Sequence, residues 1–307
     1  MKKIVVLFLF LVACQFAQLP AKKIPEAIPI YTGTSALEAS FNPATMSNMI
    51  MCQQSDIYVD VKNTGAQDIK DGTYSFITED QYLTPVTERQ KKFSLEGKSQ
   101  FNPKGGFDQI HLRVKNLGIL PQFETYNPEI IFQACYKYTT SAAAQVCVDP
   151  DVANLNPRKA CRPEPVLLPN GQGAPVAVTK IEPYMVPEGD GVTPVFAIYV
   201  QNLGFGAVVR PEGAEAACTG GTGLQLLSYA NVHAFLQNKE LVCDPNPVKI
   251  ESTQERRFIC QRKEMLYGPS AGTFSAVLTI QLEYGYVNSL ALPLTITRLP
   301  GQAPCPT

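Results

Sequence analysis

Apolar and polar residues alternate along most of the chain, and no long stretch keeps the 3.6-residue period of an amphipathic helix. Ile57, Val59 and Val61 take one face of a predicted strand that ends in Asn63-Thr64-Gly65. Phe196, Ile198 and Val200 do the same before Asn202-Leu203-Gly204, 139 residues on. Side chains of a strand alternate between its two faces, so each trio marks a buried face. Gly65 and Gly204 are expected to supply the positive φ of a turn. The likeness returns later. Phe132, Ala134, Tyr136 and Tyr138 alternate, and Ile280, Leu282, Tyr284 and Tyr286 repeat them at an offset of 148. A short polar turn and another alternating run follow each Tyr-x-Tyr: Ala144, Val146 and Val148, then Leu292, Leu294 and Ile296. Ile110, Leu112 and Val114 match Phe258, Cys260 and Arg262. The growing offset places an insertion in the second unit, at the glycine-rich stretch from Cys218 to Gly223.

Two copies of a unit with some seven short strands predict an all-β protein, made of two tandem immunoglobulin-like β-sandwich domains. The expected boundaries are 34–148 and 176–298, with a tail at 299–307. Residues 149–175 hold Pro150, Pro157, Pro163, Pro165, Pro169 and Pro175. Proline cannot donate to a ladder and favours extended chain, so this segment reads as a semi-rigid linker.

One stretch breaks the alternation. Lys2 and Lys3 lead into ten apolar residues, Ile4 to Ala13. A bilayer-spanning helix needs about 20, whereas a basic start and a short apolar run mark a secretory signal. The run ends in Leu11-Val12-Ala13-Cys14, which resembles the lipobox of prokaryotic lipoproteins. That resemblance implies a signal peptide over 1–13, lipid on Cys14 and a membrane tether over 14–33.

With Cys14 set aside, eight cysteines remain, an even number that fits disulfides in an exported chain. If the chain turns back near Ser141, Cys135 faces Cys147 across a hairpin, and a cross-strand bridge is expected there. Cys243 and Cys260 flank a second hairpin-like segment; a disulfide closing it is worth about 3 kcal/mol in the chain-entropy model. Cys161 sits in the connector, where it is placed to staple that segment to a domain, while Cys52, Cys218 and Cys305 have no local partner. No Cys-x-x-Cys occurs, and His111 and His233 are the only histidines, so no metal site is expected.

Net charge is −1, from 26 basic and 27 acidic residues, which gives no basic stripe for nucleic acid. His111 and His233 both sit inside alternating strands with no nucleophile elbow beside them. Asp56, Asp60, Asp68, Asp71, Glu188 and Asp190 read as outward or turn residues. The glycine-rich stretch lacks the Gly-Lys-Ser/Thr of a phosphate cradle. Met49 and Met51 share one strand face and read as core. Nothing here predicts catalysis or a cofactor. Tyr58 and Tyr199 read as outward residues of the two matching strands and are the candidate partner surface. Tyr136, Tyr138, Tyr284 and Tyr286 are expected in the core of a chain with no tryptophan.

The Val-x-Asn-x-Gly strand ends resemble the immunoglobulin-like CARDB group of extracellular accessory modules. Tyr31-Thr32-Gly33-Thr34, Phe93 to Ser99, Ala134-Cys135-Tyr136-Lys137-Tyr138, Val146 to Pro150 and Gly171 to Val176 resemble a family of uncharacterised, signal-bearing surface proteins from archaea. The resemblance implies an exported two-domain β protein and brings no known activity; the function expected is that of a non-catalytic, lipid-anchored cell-surface protein with a protein or glycan partner outside the cell. Two other readings are a structural subunit of a surface appendage or envelope complex, and a carbohydrate-binding or carbohydrate-active accessory protein.

Overall fold

The computed structural model describes residues 30–251 and 254–305. The expected signal, Cys14 and most of the tether lie outside them. The first unit contributes β1 (Leu37–Phe41), β2 (Asn48–Ile50), β3 (Gln54–Asn63), β4 (Ile69–Thr78), β5 (Leu83–Pro85), β6 (Gln90–Leu95), β7 (Phe107–Asn116), β8 (Thr125–Tyr126) and β9 (Glu129–Val148). The connector carries β10 (Val166–Leu167). The second unit adds β11 (Val176–Glu188), β12 (Gly191–Asn202), β13 (Ala207–Val209), β14 (Tyr229–Leu236), β15 (Lys239–Asp244), β16 (Val248–Lys249), β17 (Arg256–Gln261), β18 (Phe274–Pro293) and β19 (Thr295–Thr297). The α-helix α1 (Ala214–Cys218) and three 3-10 turns are the helical elements among the described residues. The protein is all-β.

The repeat is preserved in the ladders. Val59 pairs with Ile110 between β3 and β7, and Ile198 pairs with Phe258 between β12 and β17. Leu37 pairs with Asn63, and Val176 with Asn202. In each copy the asparagine closes the turn after its strand. Asn63 Oδ1 accepts from Gly65 N–H at 3.0 Å, and Asn202 Oδ1 from Gly204 N–H at 3.2 Å. The expectation of positive φ at these glycines is corrected, since neither is left-handed. Glycine is required for another reason: a Cβ at Gly65 would strike the Tyr138 hydroxyl, and one at Gly204 the Tyr286 hydroxyl.

The chain does not fold back at Ser141. β9 and β18 are each 20 residues long and pair antiparallel over their whole length. Thr139-Thr140-Ser141 lacks the Gly, Asn or Asp that a tight hairpin needs, so the strand continues. Lys137 pairs with Gly285, and 285 is also the position equivalent to 137 at the offset of 148. The two units are therefore related by a local two-fold axis through this pair, and the β9–β18 ribbon crosses it. Residues 129–136 of β9 and 286–293 of β18 join β4 and β6 opposite the sheet β1-β3-β7-β5. Beyond the axis, the rest of β9 and β18 joins β14 opposite β11-β12-β17. Each half of the molecule thus takes a strand from the other unit. The C-terminal end follows suit, as β19 pairs with β2 and β8 of the first unit.

The connector is bound in place. Lys159 Nζ lies 2.6 Å from Asp149 Oδ2, both side chains nearly buried. Val166 and Leu167 pair with Ile181 and Lys180, which makes β10 an added strand on the outer edge of β11.

Candidate functional site: grooves beside a tyrosine ribbon

Four tyrosines flank the two-fold axis, and their hydroxyls repeat one pattern. Tyr136 Oη accepts from Leu37 N–H at 3.3 Å and Tyr284 Oη from Val176 N–H at 3.4 Å. Tyr138 Oη accepts from Gln67 N–H at 3.1 Å and Tyr286 Oη from Gly206 N–H at 2.8 Å. Tyr136 also donates to Asn288 Oδ1 at 2.8 Å, while Tyr284 bonds Thr140 Oγ1 at 3.0 Å, the matching position. Burial pushes the Tyr138 and Tyr286 phenols up to about 12, and those of Tyr136 and Tyr284 further. These hydroxyls tie the strand-start amides of one sheet to the ribbon of the other and satisfy buried donors.

Beside the ribbon lie two related grooves. The first, about 390 Å³, runs between β1 and the free end of β18; Ala36, Leu37, Phe132, Phe205, Ser289 and Leu290 are among its walls. The second, about 450 Å³, lies beside Ser141, Ala142 and Ala143 of β9, positions equivalent to 289–291. Its other wall is the connector, Leu167 to Gln172, with Tyr31 over it.

The two sheet faces with the sequence-predicted tyrosines are polar and internally paired. Tyr58 stacks on His111 at 4.9 Å between ring centroids and 23° between planes. His111 Nε2 is 2.6 Å from Asp56 Oδ1, and Arg113 Nε donates to the same oxygen at 2.7 Å. The Arg113 guanidinium, helped by His111, holds the Asp56 carboxyl down at about 2. On the other face Tyr199 donates to Glu182 Oε2 at 2.8 Å, and Lys180 Nζ sits 3.9 Å above its ring. Hydrogen bonds from Tyr199, Lys180 and Tyr184 hold Glu182 at about 2. Tyr58 and Tyr199 do point outward, but each is half-buried by these partners. The two lie on separate sheets and form no joint site, and they are not equivalent: Asp60 pairs with Gln109 as Tyr199 pairs with Arg257, so Tyr199 stands where the first unit has Asp60.

The cysteines pair as Cys52–Cys305, Cys135–Cys218, Cys147–Cys161 and Cys243–Cys260, with Cα–Cα distances of 5.2, 5.8, 5.8 and 4.1 Å. The expected Cys135–Cys147 bridge is overturned. Both sit on one continuous strand, 12 residues apart, which at 3.4 Å per residue is up to about 40 Å. Cys135 instead fixes the insertion at α1 to the ribbon, and Cys147 holds the connector. Cys243 and Cys260 are directly opposite in the β15–β17 ladder. Nothing local in the sequence points to Cys52–Cys305, which spans 253 residues and fastens the returning tail to the first unit. Met49 and Met51 are buried in the core, while Met46 is exposed.

No group of three or more His, Cys, Asp or Glu among the described residues is placed to hold a metal ion. A scan of protein-family models and a search of curated proteins find no match to this chain.

Proposed function

We propose that this chain is a non-catalytic cell-surface protein, anchored by lipid on Cys14, whose two immunoglobulin-like sandwiches serve binding or assembly. The likeness to signal-bearing archaeal surface proteins belongs to the same proposal. The observation that carries it is the pairing of all eight cysteines other than Cys14 in four disulfides. Such a set persists in an oxidising compartment and is reduced in most cytosols. Supporting it, the two polar faces use their carboxylates in internal pairs rather than holding them free in a cleft.

Peptide mapping without reduction, on protein from its own host's membranes, tests the reading. The expected result is a lipid-bearing peptide that begins at Cys14, with the four bridges intact. An unprocessed N-terminus with reduced thiols would remove export and anchoring together.

A second reading, as a subunit of a surface assembly, is favoured by one observation: the outer edge of β1 is unpaired among the described residues. Open edges recruit strands from other chains. Sizing of detergent-extracted protein separates the two, because an assembly subunit elutes as an oligomer.

A further inference from the structure

The outer edge of β11 is used from Val176 to Ile181. Val176 N–H donates to Tyr284 Oη. Val178 N–H donates to Gln172 Oε1 at 2.9 Å, and the Gln172 amide returns a bond to Val178 O at 3.1 Å. Leu168 N–H donates to Thr179 O at 2.8 Å, and Ile181 pairs with Val166 of β10. Val166 and Leu168 pack against the core, whereas Leu167 between them is exposed.

The outer edge of β1 starts from the same ladder. Leu37 N–H donates to Tyr136 Oη, as Val176 does to Tyr284. There the likeness stops. Asn42 N–H donates to Tyr58 O, so even-numbered amides of β1 face β3 and those of Ala39 and Phe41 face away. No partner for these two is found among the described residues. The position of Gln172 is Gly33 in the first unit, so the side-chain cap is missing. The chain entering β1 also comes from the other side. Ile30 O lies against Gly173, and Tyr31 lines the second groove. What remains at the β1 edge is the first groove, with buried Ala36, Leu37 and Phe132 beneath it and half-buried Leu290 and exposed Phe205 as its accessible apolar floor and wall.

We propose that this groove accepts an extended segment of a partner protein, which adds antiparallel to β1 as β10 adds to β11. β10 defines the ligand chemistry. Branched aliphatic side chains at alternate positions face the groove, the residue between them faces solvent, and prolines on either side end the ladder. Main-chain bonds to Ala39 and Phe41 would give affinity, and the apolar floor the side-chain selection. This rests on the reading of the chain as a binding protein, but it needs neither the lipid nor a particular location.

The probe is a synthetic peptide of connector residues 163–170, added to purified full-length protein, with hydrogen exchange read at single amides. The expected result is at least tenfold slower exchange at Ala39 and Phe41 at saturation. Ala39→Pro removes one outward donor while leaving the β3 ladder intact, and edge strands tolerate proline. It should weaken binding at least tenfold, as should Leu290→Glu, which charges the floor. No protection at Ala39 and Phe41 would overturn the proposal, as would affinity unchanged in both variants. So would amides already protected in the free chain and released by deleting residues 1–29, since the chain's own N-terminal segment would then be the occupant. Failure here leaves the lipid and disulfide map untouched, so the two proposals fall separately.

Discussion

The first and second halves of this molecule share a ladder, a turn clamp and a pair of buried tyrosines, yet they finish their outer edges differently. At β11 a glutamine and a connector strand consume the outward backbone groups. In the first unit the glutamine's place is taken by Gly33, and the outward groups of β1 face a groove with no strand partner among the described residues. Duplicated units need the same interior, because the ribbon couples their cores. Their edges are independent, so one is closed by its own chain while the other has no outer strand among the described residues. Edge closure guards against aggregation.

The largest expected effect concerns the ribbon. Residues 34–148 expressed alone should give no cooperatively folding monomer, since residues 286–293 complete their sandwich. Size and thermal unfolding of the fragment check this; a monomer that melts like the whole chain would break the exchange of strands. Next comes the shared core. Phe132→Ala should cost about 3–5 kcal/mol and its counterpart Ile280→Ala about 2–5 kcal/mol. Both residues are fully buried. Calorimetry should show one transition shifted in either variant, and two separable transitions would argue for independent halves.

Alkaline pH compares the two tyrosine clamps. Tyr138 and Tyr286 are both raised to about 12 in the fold, against about 10 unfolded. Below pH 10 both states keep the proton and the stabilisation is complete. Between about 10 and 12 only the unfolded state ionises, so stability falls by about 1.4 kcal/mol per pH unit for each tyrosine. Tyr138→Phe and Tyr286→Phe should flatten this slope equally in denaturant titrations at high pH.

Gln172→Ala should cost about 1–3 kcal/mol through two lost bonds to Val178. It should also speed exchange at the Val178 amide toward that of Ala39, making the second edge resemble the first. The smallest effect is acidic. Asp56 and Glu182 are both depressed to about 2, so their contributions are present above about pH 4.5 and fade as pH falls toward 2. Asp56→Asn and Glu182→Gln should each reduce acid sensitivity, read as unfolding midpoints between pH 5 and 2.

Much of this was legible in the residues. The alternation at Ile57, Val59 and Val61 and its copy at Phe196, Ile198 and Val200 identify strands and the repeat. The inner-face places of Tyr136, Tyr138, Tyr284 and Tyr286 follow from the same parity, and the bridge between Cys243 and Cys260 from the hairpin-like segment they flank. The turn near Ser141 misleads because inner residues stay even-numbered whether the chain reverses there or runs on. The absence of Gly, Asn and Asp from Thr139-Thr140-Ser141 was the available signal. For the groove, the matching of Gly33 with Gln172 was visible as an alignment, though its consequence for an edge was not.

Period-two patterning determined that this protein is built of strands, which faces are buried and that one unit occurs twice, because those properties depend on each residue and its near neighbours. The tertiary structure alone decided that β9 pairs with β18, that Cys135 reaches Cys218 and Cys52 reaches Cys305, and that β10 covers β11 while β1 has no outer strand among the described residues. A strand's alternation is the same whichever partner it meets, so these choices rest on contacts between residues far apart in the chain.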